Sequence, residues 1–254
     1  MKKYYFLIFG VFLFFGLSVF FPANYEAWRI ETAIPVQLHV KEEQIETSSK
    51  PSYMVLDIEE GQDIILSSYR DPVFREDVLT FFKNLTGSFS VAEAILSTAS
   101  EMDISPALAF ALCAEESGYN PRAFNRNRND TVDRGLFQLN NASFPKLQDE
   151  DFYVLDINVH HGLSHLRWCL GTAGSEVAGL AMYNAGAGRV RSMGTPKSTL
   201  DYVARILKRQ RKIEGHFIAE YVRIVEAKDE KAEKLEANEK TPLRFSLLTP
   251  LGGR

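Results

Sequence analysis

Two adjacent carboxylates, Glu115 and Glu116, close an apolar stretch that begins at Pro106 and stand just before the break Gly118-Tyr-Asn-Pro121. On a helix at about 100° per residue, Leu108, Leu112 and Cys113 define one stripe; Glu116 falls inside it and Glu115 at its edge. A carboxyl group on an apolar face loses water, and desolvation favours its neutral form. A glutamic acid kept protonated near neutral pH is what a general acid needs in order to donate to a leaving oxygen. Two solvent-facing glutamates in a last helical turn remain the alternative at this point. A second constellation, His161-Gly-Leu-Ser-His165, sets two imidazoles at i,i+4, the spacing of a helical zinc pair. The metalloprotease form needs Glu after the first His, where Gly162 stands, and no third ligand lies nearby in the sequence. No metal and no cofactor is implied.

Further words follow Glu116 in order: Glu116-Ser-Gly-Tyr-Asn-Pro121, Gly135-Leu-Phe-Gln-Leu-Asn140, Ala181-Met-Tyr-Asn-Ala-Gly186, and Tyr202-Val203. Together they resemble the lysozyme-like lytic transglycosylases, the SLT-domain family, over roughly residues 74 to 215. The Asn/Arg-rich stretch from Asn125 to Arg134 is most similar to the specialised branch that accompanies secretion machines.

The resemblance implies an enzyme that cleaves the β-1,4 bond between N-acetylmuramic acid and N-acetylglucosamine in peptidoglycan. The product would be a 1,6-anhydromuramoyl end, with Glu116 as the single acid/base. One carboxyl suffices where the sugar's own N-acetyl oxygen stabilises the anomeric carbon, in place of the second carboxylate of ordinary retaining glycosidases. By the same matching, Ser117, Gln138, Tyr183, Asn184 and Tyr202 are candidate substrate-binding residues. Ser117 would orient Glu116 or only cap its turn, Gln138 would bond sugar or N-acetyl groups, and Tyr183 would place its hydroxyl by the reacting sugar. Asn184 would fix the loop Ala185 to Gly188, and Tyr202 is either a cleft residue or a core aromatic. Two departures matter. The segment between Glu116 and Gln138 is enlarged, and Ala204 stands where some relatives carry an acid. Asp130 and Asp133 are then the nearest carboxylates in sequence, and either could position a water as in a hydrolytic muramidase. That hydrolase is one alternative; a non-enzymatic peptidoglycan-binding envelope module is the other.

The elements that must position these residues are mainly helical. Apolar spacing at helical period predicts helices over Val73–Leu85, Val91–Met102, Pro106–Ser117, Asn158–Leu170, Ser175–Asn184 and Thr199–Ile213. Ser90 is expected to cap the second, with Glu93 three residues on, and Ser105-Pro106 to open the third. The fold expected is a lysozyme-like helical domain over 73–215. A small strand-like or linker region over 23–72 precedes it, in which Val36–Val40 and Met54–Ile58 alternate at period two. A charged tail follows over 216–254, densest in charge from 226 to 240.

Residues 1–22 read as a signal peptide or signal anchor. Lys2 and Lys3 precede an uncharged apolar run from Tyr4 to Phe21, where seven of the chain's 18 phenylalanines fall. Neither Ala23 nor Ala27 has a small residue two positions earlier, which favours an uncleaved inner-membrane anchor over a cleaved export signal. The expected location is the periplasm or cell envelope, with peptidoglycan strands as partner, a membrane contact through the N-terminal segment, and a secretion or motility machine served. The two cysteines, Cys113 and Cys169, would either pair in an oxidising compartment or remain separate buried thiols. A net charge of -4 offers no basic field for nucleic acid. Arg126, Arg128 and Arg134 would serve peptide-stem carboxylates at most.

Overall fold

A computed structural model describes residues 61–239. The expected N-terminal membrane helix and the strands at 36–40 and 54–58 lie outside the described residues, as does the end of the tail. Among the described residues no helix is long and apolar enough to cross a membrane.

The first described element departs from the strand-like reading of 23–72. Residues Ile64–Arg70 form a helix, α1, capped by Asp63, whose carboxylate accepts from the Leu66 amide at 2.9 Å. Ile65, Leu66 and Tyr69 are buried, which is the i, i+1, i+4 pattern of a helix rather than the alternation of a strand. Helix α2, Arg75–Thr86, stops at Gly87 in the left-handed region. Helix α3, Phe89–Glu101, is capped by Ser88 and not by the expected Ser90: the Ser88 hydroxyl accepts from Val91 at 3.4 Å, while Ser90 lies within the first turn.

Helix α4 runs Pro106–Ser117, with Ser105 at its N-cap position, the proline first and Gly118 beyond its end. The Ser105 side chain itself makes no capping hydrogen bond. Every residue from Pro106 to Ala114 is buried, so α4 is a central helix covered on all sides. Helices α5 (Leu155–Ala173), α6 (Glu176–Ala185), α7 (Ala187–Met193) and α8 (Lys197–Glu239) complete the helices of the described residues. Helix α8 packs along α4, and α5 along α6.

Helix α8 corrects the expected boundary at residue 215. It continues unbroken through the supposed tail, and Phe217 and Tyr221 are buried within the core. Phe217 meets Phe81 edge-on with centroids 5.3 Å apart, and Tyr221 meets Phe74 at 5.2 Å, so the second half of α8 holds α2. Lys228 adds an ion pair to Asp77 at 2.8 Å. The charges beyond residue 226 decorate a helix whose inner stripe, including Ile224 and Val225, still faces the core.

Between α4 and α5 lies a three-stranded antiparallel sheet in the order β1 (Phe124–Arg126), β2 (Val132–Arg134), β3 (Leu139–Asn140). Its register places Asp133 opposite both Asn125 and Asn140. The β2–β3 connection bends at Gly135, whose φ is +76° and where a Cβ would stand 2.2 Å from the Phe152 carbonyl oxygen. Glycine is required there on both counts. Buried Asn158 of α5 pins this connection: its Nδ2 donates to the Arg134 and Phe152 carbonyls at 3.1 and 2.8 Å, and its Oδ1 accepts from the Phe137 amide at 2.8 Å. Gly162, one turn further, lets Phe137 pack directly on the helix, since a Cβ there would lie 2.5 Å from the Phe137 side chain.

The two cysteines are free and separately buried. Cys113 is within 3.8 Å of the Leu136 carbonyl oxygen and Cys169 within 3.8 Å of His165 Nε2, so the pairing alternative is not realised.

Candidate active site

The end of α4, the sheet and the start of α7 enclose a cleft of about 650 Å³. Its lining includes Glu116, Asp133, Gln138, Tyr183 and Asn184, with Phe144 and His165 along the α5 side. The sequence words therefore meet in space, although 68 positions separate Glu116 from Asn184 in the numbering.

Glu116 sits where the buried face of α4 reaches the cleft. Burial is the principal cause that pushes its carboxyl up to about 7, and the charges of Asp133 and Glu115 act in the same direction. The Tyr202 hydroxyl donates to Glu116 Oε1 and opposes that rise by favouring the charged form. Such a group changes protonation near neutral pH, so it can donate a proton and later take one back. Its neighbour Glu115 is engaged differently: Arg205 Nε donates to its Oε1 at 2.7 Å. Two adjacent glutamates thus face opposite environments, one in an ion pair with α8 and one desolvated at the cleft.

The remaining candidates fall into place unequally. Gln138 lines the cleft with a left-handed backbone (φ +46°), and its Nε2 donates to the Gly135 carbonyl at 3.0 Å, while among the described residues its Oε1 has no hydrogen-bond partner. Tyr183 also lines the cleft, and its hydroxyl donates to the Phe137 carbonyl at 3.1 Å, which leaves the oxygen only as an acceptor toward a ligand. Its role in the structure is to lock the Gln138 turn against α6, and burial together with the Glu116 charge keeps the phenol well above its ordinary range. Asn184 Oδ1 accepts from Thr199 Oγ1 at 2.8 Å, tying the end of α6 to α8 in addition to bordering the turn at Gly186. Tyr202 is 6% exposed and so belongs to the core as well as to Glu116. The Ser117 hydroxyl donates back to the Cys113 carbonyl at 3.3 Å, which is the turn-capping alternative, and Ser117 is not among the residues lining the cleft.

Of the two aspartates, Asp133 lines the cleft while Asp130 occupies the β1–β2 turn with φ +61°. Both oxygens of Asp133 accept from amides, Oδ1 from Asn140 at 2.7 Å and Oδ2 from Asn127 at 2.8 Å. Arg134 is paired with Asp149 at 3.1 Å and does not border the cleft, whereas Arg189, which sequence reasoning passed over, does. His161 packs edge-on against Phe144 at 5.5 Å, while His165 faces Tyr183 at 5.0 Å; burial lowers the pKa of both imidazoles. His165 was visible in the sequence as half of an i,i+4 pair, yet its place in the cleft follows from the contact of α5 with α6, which no local pattern encodes.

A mainly helical domain with a small sheet beside a cleft, and a half-buried glutamic acid at the cleft floor, fits the lysozyme-like class of glycan-cleaving domains. Residues 93–204 match the family model described as the transglycosylase SLT domain. The matched span runs from within α3 to the first turns of α8 and contains every cleft residue named above. It supports the lytic transglycosylase family and, with it, an enzyme acting on peptidoglycan.

Proposed function

We propose that the protein is a peptidoglycan lytic transglycosylase that cleaves the bond between N-acetylmuramic acid and N-acetylglucosamine with Glu116 as its single acid/base. The observation that carries this reading is the Glu116 carboxyl, desolvated at the cleft, held by the Tyr202 hydroxyl and pushed up to about 7. Protonated Glu116 donates to the glycosidic oxygen as the C1–O bond breaks, and the substrate's own N-acetyl oxygen bonds to C1. The resulting carboxylate then takes the proton from the 6-hydroxyl. That oxygen attacks C1, displaces the N-acetyl oxygen and closes the anhydro ring, so no water is consumed and Glu116 ends protonated. Gln138 Oε1 would accept from the substrate's N–H or O–H groups.

Asp133 in the cleft supports a second reading, hydrolysis by an activated water. Its two oxygens already accept from Asn140 and Asn127, which favours a positional role over that of a free base. We place the reaction in the cell envelope, reached through the leader of residues 1–22. The specialised branch and its secretion machine belong to the same proposal and rest on the Asn125–Arg134 stretch.

The test is digestion of purified sacculi by the full chain, followed by mass analysis of the soluble products. Anhydromuropeptides, one water lighter than hydrolysed counterparts, are expected, and Glu116→Gln should release none while keeping its helical content. Reducing-end muropeptides alone would establish the muramidase, and binding without release would establish the envelope module.

A further inference from the structure

Arg189 is the only lysine or arginine among the residues lining the cleft. It lies in α7, just past the turn that Gly186 makes with φ +83°. It is exposed, and among the described residues no carboxylate pairs with it. Elsewhere Arg70, Arg134 and Arg205 are each held by an acid. Asn184 precedes it along the same wall, and because its Oδ1 is occupied by Thr199, its side chain has N–H groups left to offer a ligand. The positions of Gly186 and Gly188 have no atom within 4 Å of a would-be Cβ, so this wall is open. The side chains here thus present positive charge and donors, whereas the other charged groups of the cleft, Glu116 and Asp133, are acids.

A neutral glycan backbone is satisfied by hydrogen bonds and does not need a guanidinium. The anionic groups of peptidoglycan hang from the lactyl ether of muramic acid. They are the lactyl carboxylate itself where no peptide is attached, or the carboxylates of the peptide stem where one is. A planar guanidinium matches a carboxylate with two parallel N–H donors, and it offsets the repulsion that Asp133 would exert on such a group.

We propose that Arg189, assisted by the Asn184 amide, binds a carboxylate borne by the lactyl substituent of muramic acid and thereby selects muramyl over plain N-acetylglucosamine strands. This inference rests on the reading of the cleft as a glycan-strand site.

The experiment compares the full chain with Arg189→Ala on four soluble ligands. They are glycan fragments with acidic peptide stems, the same fragments with every stem carboxylate amidated, fragments stripped of the stem so that the lactyl carboxylate is exposed, and chitin oligosaccharides. The variant is expected to raise KM about 10-fold on carboxylate-bearing fragments while kcat stays within about 2-fold, a difference of about 1.4 kcal/mol in binding. Loss confined to acidic stems assigns the stem as the source of the carboxylate, and loss confined to stripped strands assigns the lactyl group. Equal loss on amidated fragments or chitin oligosaccharides, a fall in kcat alone, or no loss on any ligand would overturn the proposal. If the wild-type protein cleaves none of the four, the transglycosylase reading fails, and calorimetric binding of the same ligands to both proteins decides the carboxylate site by the same pattern.

Discussion

Replacing Tyr202 by phenylalanine removes one hydrogen-bond donor from Glu116 and little else, because the ring stays in the core where Tyr202 is 6% exposed. The donor stabilises the carboxylate, so its loss must raise the Glu116 pKa above its present value of about 7. A hydrogen bond to a charged group is worth about 1.5–3 kcal/mol, and each pKa unit about 1.4 kcal/mol, which gives a rise of about 1–2 units. The added apolarity of phenylalanine acts in the same direction. Under the proposed mechanism Glu116 must be protonated to act first as an acid, so kcat/KM falls as pH rises through this pKa. The alkaline limb of the profile should therefore move upward by about 1–2 units in Tyr202→Phe. The assay is release of soluble anhydromuropeptide across about pH 5 to 10, with circular dichroism confirming the fold at each end. An alkaline limb that stays in place or moves to lower pH would refute the assignment of Tyr202 as the donor that tunes Glu116.

Glu116 also links pH to stability. Its folded pKa lies above the ordinary value of 4.5, so the native state holds its proton more tightly, and wild-type stability falls as pH rises from about 4.5 to 7, by at most about 3 kcal/mol in all. Glu116→Gln has no such proton to lose, and calorimetry should show its Tm gaining on the wild type between about pH 5 and 8; a gap that does not change with pH counts against the buried-acid reading. In α8, Phe217→Ala should cost about 3–5 kcal/mol in denaturant unfolding, because a fully buried ring that meets Phe81 and Tyr221 is lost. Leu235→Ala, at a position 59% exposed, should cost less than about 0.5 kcal/mol, and equal costs would contradict the packing of α8 described above.

Helix α4 was legible to the residue, since proline at its first position and glycine after its last leave the chain no other boundary. The neighbouring cap was misread because Ser88 and Ser90 both precede an apolar run; only the three-residue reach from hydroxyl to amide separates them, and the Ser88 oxygen is the one that meets Val91. The length of α8 was obscured by charge density. Phe217, Tyr221, Ile224 and Val225 keep the i, i+4, i+7, i+8 stripe through the charged stretch, and that stripe, not the net polarity of the segment, determined the outcome. The strands of two and three residues are too short for any period-two signal, and β1 meets β2 through the turn in which the Asn127 amide donates to the Thr131 carbonyl. In the candidate site, the ordered motifs mark Glu116, Gln138, Tyr183 and Asn184, which the fold brings to one cleft. Which partner each hydroxyl and amide would take could not be read locally, because Tyr202 and Glu116 are 86 positions apart and Asn158 reaches back 24 positions to Arg134.

The segment between Glu116 and Gln138 acquires a physical account from the same geometry. Its hairpin carries Asn125 and Asn127 on one side of Asp133, and β3 brings Asn140 to the other. Asn127 Nδ2 donates to Asp133 at 2.8 Å and Asn125 Nδ2 to Asn127 Oδ1 at 3.2 Å, while Asn140 Nδ2 bridges Thr131 and Asp133 at 2.9 and 2.7 Å. Without these amide donors the Asp133 carboxylate would be free to turn, and under the proposed reaction a free carboxylate in the cleft could recruit water. Fixed as it is, Asp133 instead contributes a negative charge that favours the protonated form of Glu116. The two cleft carboxyls thus meet opposite environments, one dry with a single phenol donor and one gripped by amides, and that division supports the proposed acid role of Glu116 and a placing and electrostatic role for Asp133. Asparagine suits the task because its amide donates without adding a charge, so the field that Asp133 exerts on Glu116 is held in place and not neutralised, as it would be by arginine or lysine at the same positions.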